Sequence, residues 1–215
     1  GEQPELTDMI KLNTNENPYP PSLQVQKVIE DFKSENLRLY PSTDAKFLRK
    51  ALAEYHHLNT DQVFIGNGSD EVLSLSFLTF FNGQRAILMP DISYSFYPIY
   101  CELYRIPYQK IPLADDFSLS VNSYFQENGG IVIANPNAPT GMAISLQEIE
   151  EILQNNQDSI VLIDEAYIDF GGESCLPLLE KFDNLVVVQT FSKSRSLAGI
   201  RLGIAFGSAE AIAHL

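Results

Sequence analysis

The sequence predicts an α/β fold, a mostly parallel central sheet with helices on both faces. Three observations carry that prediction. Short, uninterrupted apolar runs occur at 130–134 (GIVIA), 160–163 (IVLI) and 185–188 (LVVV), and strands of that composition are buried on both faces. Stretches with apolar residues at helical spacing alternate with these runs, the order expected of a parallel sheet built from crossover helices. Hydrophobic residues make up 45% of 215. That is ample for a core, because a chain of this length buries roughly 70% of the surface its unfolded form exposes.

In chain order, residues 9–22 (MIKLNTNENPYPPS) are polar and proline-rich and read as an extended arm. Val25, Val28, Ile29 and Phe32 then recur at helical spacing and predict a helix over 23–32. Residues 40–43 (YPST) form a turn. Thr43 or Asp44 is placed to cap a helix whose apolar face is Phe47, Leu48, Ala51, Leu52 and Tyr55. A strand at 62–66 (QVFIG), a helix reaching Phe81, a strand at 85–89 (RAILM), a helix over 94–104 and a strand at 107–112 follow. After GIVIA, Ser145-Leu146-Gln147-Glu148 is a capping box that opens a helix running to Asn155. IVLI, LVVV and 202–207 (LGIAFG) complete the sheet. The expected organisation is an N-terminal arm and helix over 1–35 and one larger unit over 36–215, with no internal repeat.

Charge narrows the partners. The formal net charge of −14 argues against nucleic acid or an anionic membrane, both of which need a cationic face. No apolar run approaches the roughly 20 residues that span a bilayer, and no basic-then-apolar leader opens the sequence. Cys101 and Cys175 show no metal-like or disulfide-framework spacing, which favours a reducing, cytoplasmic location. His56-His57 has no cysteine or carboxylate pair at ligand spacing, so no metal site is expected. A G-x-S-x-G elbow is also missing.

In open α/β sheets, ligands sit beyond the carboxyl ends of the strands, which makes the loops after the strands the candidates. Asp164 directly follows IVLI, and Lys193 lies five residues after LVVV. Parallel neighbouring strands bring both polar heads to one sheet edge. A buried lysine gives up its proton more readily and becomes an amine nucleophile toward a carbonyl; the competing reading is an ion pair or two solvated charges. Gly68, Ser69 and Asp70 sit between a strand and a helix, where backbone N–H groups and the helix dipole suit a phosphate. Helix capping by Ser69 or Asp70 is the alternative. Ser192 and Arg201 are placed to complete a phosphate clamp. Residues 135–141 (NPNAPTG) form a rigid turn at the same edge, and Tyr94 is placed to stack on a planar ring, although with 10 tyrosines in the chain packing is the commoner use.

NPNAPTG, then DEAYIDF, then TFSKSRSLAGIRLG occur together in that order. In this they resemble the fold-type I pyridoxal-phosphate aminotransferases of classes I and II. The opening KLNTNENPYPPS, RLYPSTD and GNGSDE are similar to the histidinol-phosphate aminotransferase subfamily. The resemblance implies pyridoxal 5'-phosphate as cofactor, held by Lys193, which also shuttles the proton. It implies Asp164 on the pyridinium nitrogen, Tyr167 on the ring hydroxyl and Tyr94 stacked on the ring. Gly68, Ser69, Asp70, Ser192 and Arg201 would hold the cofactor phosphate. Tyr40 would reach the cofactor of a neighbouring subunit, implying a homodimer, and Asn17 in the arm would close over a small-molecule substrate. The implied reaction moves an amino group between a phosphorylated imidazole substrate and 2-oxoglutarate. An aromatic aminotransferase, a threonine-phosphate decarboxylase and a non-catalytic cofactor-binding α/β unit stay open as alternatives. In one place the sequence departs from the family pattern. The asparagine expected before Pro-Thr-Gly is Ala138 here, and Asn137 stands one position earlier. The C-terminal small domain of the family, with its carboxylate-binding arginine, is expected to be absent from this chain.

Overall fold

The computed structural model of the chain describes residues 10–215, so residues 1–9 of the expected 1–35 arm lie outside the described residues. The strands are β1 (Val63–Asn67), β2 (Ile87–Pro90), β3 (Tyr108–Ile111), β4 (Ile131–Ala134), β5 (Val161–Asp164), β6 (Leu185–Thr190) and β7 (Leu202–Gly207). They form one seven-stranded sheet in the order β1-β7-β6-β5-β4-β2-β3. Strands β2 to β6 pair in parallel, as their apolar composition predicts. Only β7 runs the other way, antiparallel to both β1 and β6.

The helices are α1 (Leu23–Glu30), α2 (Lys46–His56), α3 (Ser69–Phe80), α4 (Phe96–Tyr104), α5 (Leu146–Gln154) and α6 (Ala209–Ala213). Among the described residues, no helix is long and apolar enough to cross a membrane. Alternate residues of the central strands feed two cores, one on each sheet face. Ile131, Ile133, Val161, Ile163, Leu185 and Val187 pack with α2 and α5 on one side. Val132, Ala134, Leu162, Val186 and Val188 pack with α3, α4 and α6 on the other. A strand with no polar face needs both layers.

Local signals fare unevenly. The capping box opens α5: the Ser145 hydroxyl accepts from the Glu148 N–H at 3.3 Å, and the Glu148 carboxylate accepts from the Ser145 N–H at 2.7 Å. Helix α1 stops at Glu30, short of Phe32, and buries none of its residues; Leu23 and Val28 are 80% and 71% exposed. For α2 the expected cap is not found. The N-cap is Ala45, in the left-handed region with φ 47°, while Asp44 accepts from the Lys46 N–H at 3.2 Å. Its buried residues are Leu52 and Ala53, whereas Phe47 and Tyr55 face outward. Only part of the apolar stripe meets the sheet, because β1 is an edge strand. Helix α4 begins at Phe96, leaving Tyr94 in the preceding turn. Pro98, third in that helix, costs nothing there, since first-turn N–H groups have no intrahelical partner.

Candidate active site

The reversed direction of β7 builds the site. Because β7 is antiparallel, its first residues lie at the same edge as the carboxyl ends of β1 and β6. Leu202 pairs with Asn67, and Gly203 pairs with Thr190. The long loop from Thr190 to Arg201 therefore leaves that edge and returns to it. Gly203 makes the approach possible: a Cβ there would lie 2.2 Å from the Gly68 carbonyl carbon and 2.4 Å from the Ser69 nitrogen. Both are backbone atoms that cannot give way.

At this edge the amino end of α3 is open. Its N-cap is Gly68, with φ 81° and no side-chain cap, so neither Ser69 nor Asp70 serves as the capping residue. The backbone donors of the first turn therefore face outward in the arrangement that suits an anion. Arg201, itself left-handed at φ 58°, lays its guanidinium against Gly68, where a Cβ would lie 2.3 Å from Nη2. The guanidinium donates to the Ala198 carbonyl at 3.2 Å and meets Asp70 at 3.4 Å. Tyr94 donates to the other Asp70 oxygen at 2.9 Å and stacks on Phe96, with centroids 5.7 Å apart. Burial, then the Asp70 charge, push the Tyr94 phenol well above its ordinary range. Ser192 accepts from the Thr190 hydroxyl at 2.9 Å. Gly68, Ser69, Asp70, Tyr94 and Arg201 are thus brought together from three separate segments.

Asp164 ends β5 and is 4% exposed. One carboxylate oxygen accepts from the Tyr97 hydroxyl at 2.8 Å, the other from the Ala166 N–H at 3.1 Å. Burial raises its pKa to about 6 against the pull of those two donors. Lys193 does not pair with it. The lysine is half-buried rather than buried, its Nζ donates to the Thr14 carbonyl at 2.9 Å, and it lies 5.7 Å above the centre of the Tyr167 ring. The Tyr167 hydroxyl accepts from Asn15 at 2.9 Å. Asn17 donates to the carbonyls of Lys193 and Ser194 at 3.3 and 3.2 Å. The arm thus lies over the lysine loop, joined to it by residues 14, 15 and 17.

Two expected residues stand apart. The Asn137 amide donates to the Ile92 carbonyl and the Thr140 hydroxyl, both at 2.9 Å, and its oxygen accepts from Ser93 at 2.8 Å. Those groups tie the 135–141 turn to the loop after β2. Tyr40 is fully exposed, at 101%.

Several residues that shape the site escape sequence reasoning. Tyr97 is one, although Tyr94, Tyr97 and Tyr100 share the spacing of a single helix face. Glu165 is another. It is 1% exposed and accepts from Ser174 at 2.7 Å, from the Cys175 N–H at 2.7 Å and from Gln189 at 2.8 Å. Burial raises its pKa against those donors. Asp169 accepts from Ser194 and pairs with Arg195 at 3.4 Å, bracing the two residues after Lys193. No short-range pattern marks these pairings, because their partners stand from 9 to 67 positions apart in sequence, beyond one turn of a helix or a tight loop.

The family model for aminotransferase class I and II matches residues 7–215. The chain belongs to that family. Among curated proteins, it is 94% identical to the histidinol-phosphate aminotransferase of Lactococcus lactis subsp. cremoris (strain MG1363), over all of this chain and 60% of that protein. It is 55% identical to that of Clostridium botulinum (strain Kyoto / Type A2), over all of this chain and 61% of the relative. This aminotransferase-family chain thus spans about 60% of the length of the curated relatives it matches. The solved histidinol-phosphate aminotransferase of Clostridium acetobutylicum superposes with a TM-score of 0.82 at 25% identity, covering 93% of this chain and 61% of that one. The Sinorhizobium meliloti enzyme, in complex with pyridoxal-5'-phosphate, gives 0.83 at 21% identity over 93% of this chain and 56% of that one, a likeness of fold.

Proposed function

We propose that this chain is the cofactor-binding part of a pyridoxal-phosphate-dependent aminotransferase acting in histidine biosynthesis. Residues 36–215 form the binding unit, and the described residues before it form an arm and helix α1, with residues 14, 15 and 17 of the arm lying over the site. The carrying observation is the set of groups at one sheet edge: an uncapped helix end with Arg201, a buried carboxylate at Asp164, and the amine of Lys193. That set fits the cofactor's three chemical handles, which are a phosphate, a ring nitrogen and an aldehyde. Pyridoxal 5'-phosphate, when bound, supplies a carbonyl for an amine and an electron-withdrawing ring.

The residues of the chain divide the work. The N–H groups after Gly68, with Ser69, Ser192 and Arg201, hold the phosphate by charge-assisted hydrogen bonds. Asp70 keeps the guanidinium of Arg201 and the hydroxyl of Tyr94 in place. Asp164 carries the charge that keeps a ring nitrogen protonated. Tyr167 orients the ring hydroxyl, with Asn137 holding the adjoining turn. Lys193 would supply the amine for the cofactor's aldehyde, and its Nζ is the group placed to take and return a substrate proton. Thr14 and Asn17 hold the arm against this lysine loop, where it limits the access of water. Tyr40, fully exposed here, reaches into the site of a second copy, making the enzyme a homodimer in the cytoplasm. Histidinol phosphate is the substrate supported by the relatives' names and by the sequence resemblance, and 2-oxoglutarate by the resemblance.

The test is chemical trapping. After incubation with pyridoxal 5'-phosphate and reduction with borohydride, mass spectrometry should find one phosphopyridoxyl group, on Lys193, and none in Lys193→Ala. A label scattered over surface lysines in both proteins would refute the site. Histidinol phosphate, phenylalanine and threonine phosphate, compared as amino donors in bleaching the visible band, then identify the substrate class.

A further inference from the structure

We infer that Tyr97 is a positioning residue for Asp164, a neutral donor that holds the carboxylate in its charged form and leaves that charge for a cationic ring nitrogen. The inference rests on the cofactor reading proposed above and extends it to a residue that reading does not use.

Tyr97 is wholly buried on α4. Its ring stacks on Phe77 with centroids 6.1 Å apart and meets Tyr94 edge-on at 5.5 Å, so the hydroxyl has a single direction available. That direction ends on Asp164 at 2.8 Å. The other groups around Asp164 are the Ala166 N–H from its own loop, the carboxylates of Asp70 and Glu165, and the phenols of Tyr94 and Tyr100. The two carboxylates disfavour a further negative charge. The charged form therefore depends on two neutral donors, Tyr97 and the Ala166 N–H. A phenol stabilises a carboxylate without neutralising it, and the raised Tyr97 pKa, caused by burial and then by the Asp164 charge, keeps its proton in place. A lysine, arginine or histidine in its position would consume the charge that a ring cation needs. The tight aromatic packing fixes the phenol and, through it, the plane of the carboxylate.

Tyr97→Phe keeps the ring and removes only the hydroxyl. The chain is labelled with 13C at the aspartate carboxyls, the Asp164 resonance is assigned by its loss in Asp164→Asn, and it is titrated without cofactor in parent and variant. The expected result is a midpoint about one pH unit or more higher in Tyr97→Phe, the size expected for losing a hydrogen bond to a charged group. Pyridoxal 5'-phosphate binding should weaken by about tenfold at pH 5 and by only about twofold at pH 7, where a midpoint moved from about 6 to about 7 leaves half of Asp164 charged, and the loss should vanish at higher pH as Asp164 ionises. A merely structural tyrosine would move stability but not this midpoint. Should Tyr97→Phe fold poorly, 3-fluorotyrosine at position 97, a stronger donor of similar size, should move the midpoint downward. An unchanged midpoint with cofactor binding intact would overturn the role of Tyr97 alone. A parent chain that binds no pyridoxal 5'-phosphate, with the midpoint still shifted, would overturn the cofactor reading and with it the purpose assigned to Tyr97.

Discussion

Relative to the parent, Asp164→Asn should gain stability in the cofactor-free chain as pH rises. Burial lifts the Asp164 carboxyl from an ordinary 3.8 to about 6. Between those values the folded chain holds a proton that the unfolded chain has lost, so this residue's contribution to stability falls as pH increases through that window. At about 1.4 kcal/mol per pH unit, keeping Asp164 charged costs about 3 kcal/mol at pH 8 and roughly half that at pH 5. Asparagine has no such ionisation. The difference in unfolding free energy between Asp164→Asn and the parent should therefore grow by about 1.5 kcal/mol from pH 5 to pH 8. Urea unfolding of both proteins at the two pH values measures it, and the titrating groups that do not interact with Asp164 cancel in the difference. A difference independent of pH, or one that shrinks with rising pH, would refute the reasoning. In the function proposed above, a protonated ring nitrogen beside Asp164 would relieve the same cost.

Three further outcomes are expected. Gly203→Ala should cost about 3 kcal/mol, seen as a lower urea midpoint, and should abolish phosphopyridoxyl capture by Lys193, because its Cβ forces β7 away from the amino end of α3. Glu165→Ala leaves the Cys175 N–H and the Gln189 amide buried without an acceptor, which should destabilise the chain by about 3 kcal/mol in the same assay. Ser145→Ala removes half of the α5 capping box and should cost about 1 kcal/mol.

Legibility followed the range of the interaction. The strands β4, β5 and β6 were readable because a run such as GIVIA has no polar face to show water. The start of α5 was readable because Ser145 and Glu148 are three residues apart. The helix over 23–32 was readable as a helix, but its apolar stripe carried no information on what would cover it, and α1 buries none of its residues. At α2 the same reasoning chose the wrong cap and only part of the right face. Ala45 entered the left-handed region, and an edge strand covered less of the helix than an interior one would.

By itself, the sequence determined the α/β class, the parallel core strands, and which loops carry Gly68, Asp164 and Lys193. These follow from burial on both strand faces and from short-range caps and turns. Tertiary structure alone decided that β7 runs backwards. That reversal seats Arg201 against Gly68 and brings it to Asp70 across 131 positions of chain. It also decided that Asn137 spends its amide on a turn, and that Asp164 is held by Tyr97, 67 residues away, and not by Lys193. The physical reason is common to all three. Periodicity reports whether a side chain faces the core, whereas a hydrogen bond between distant segments depends on the path by which the folded backbone brings them together.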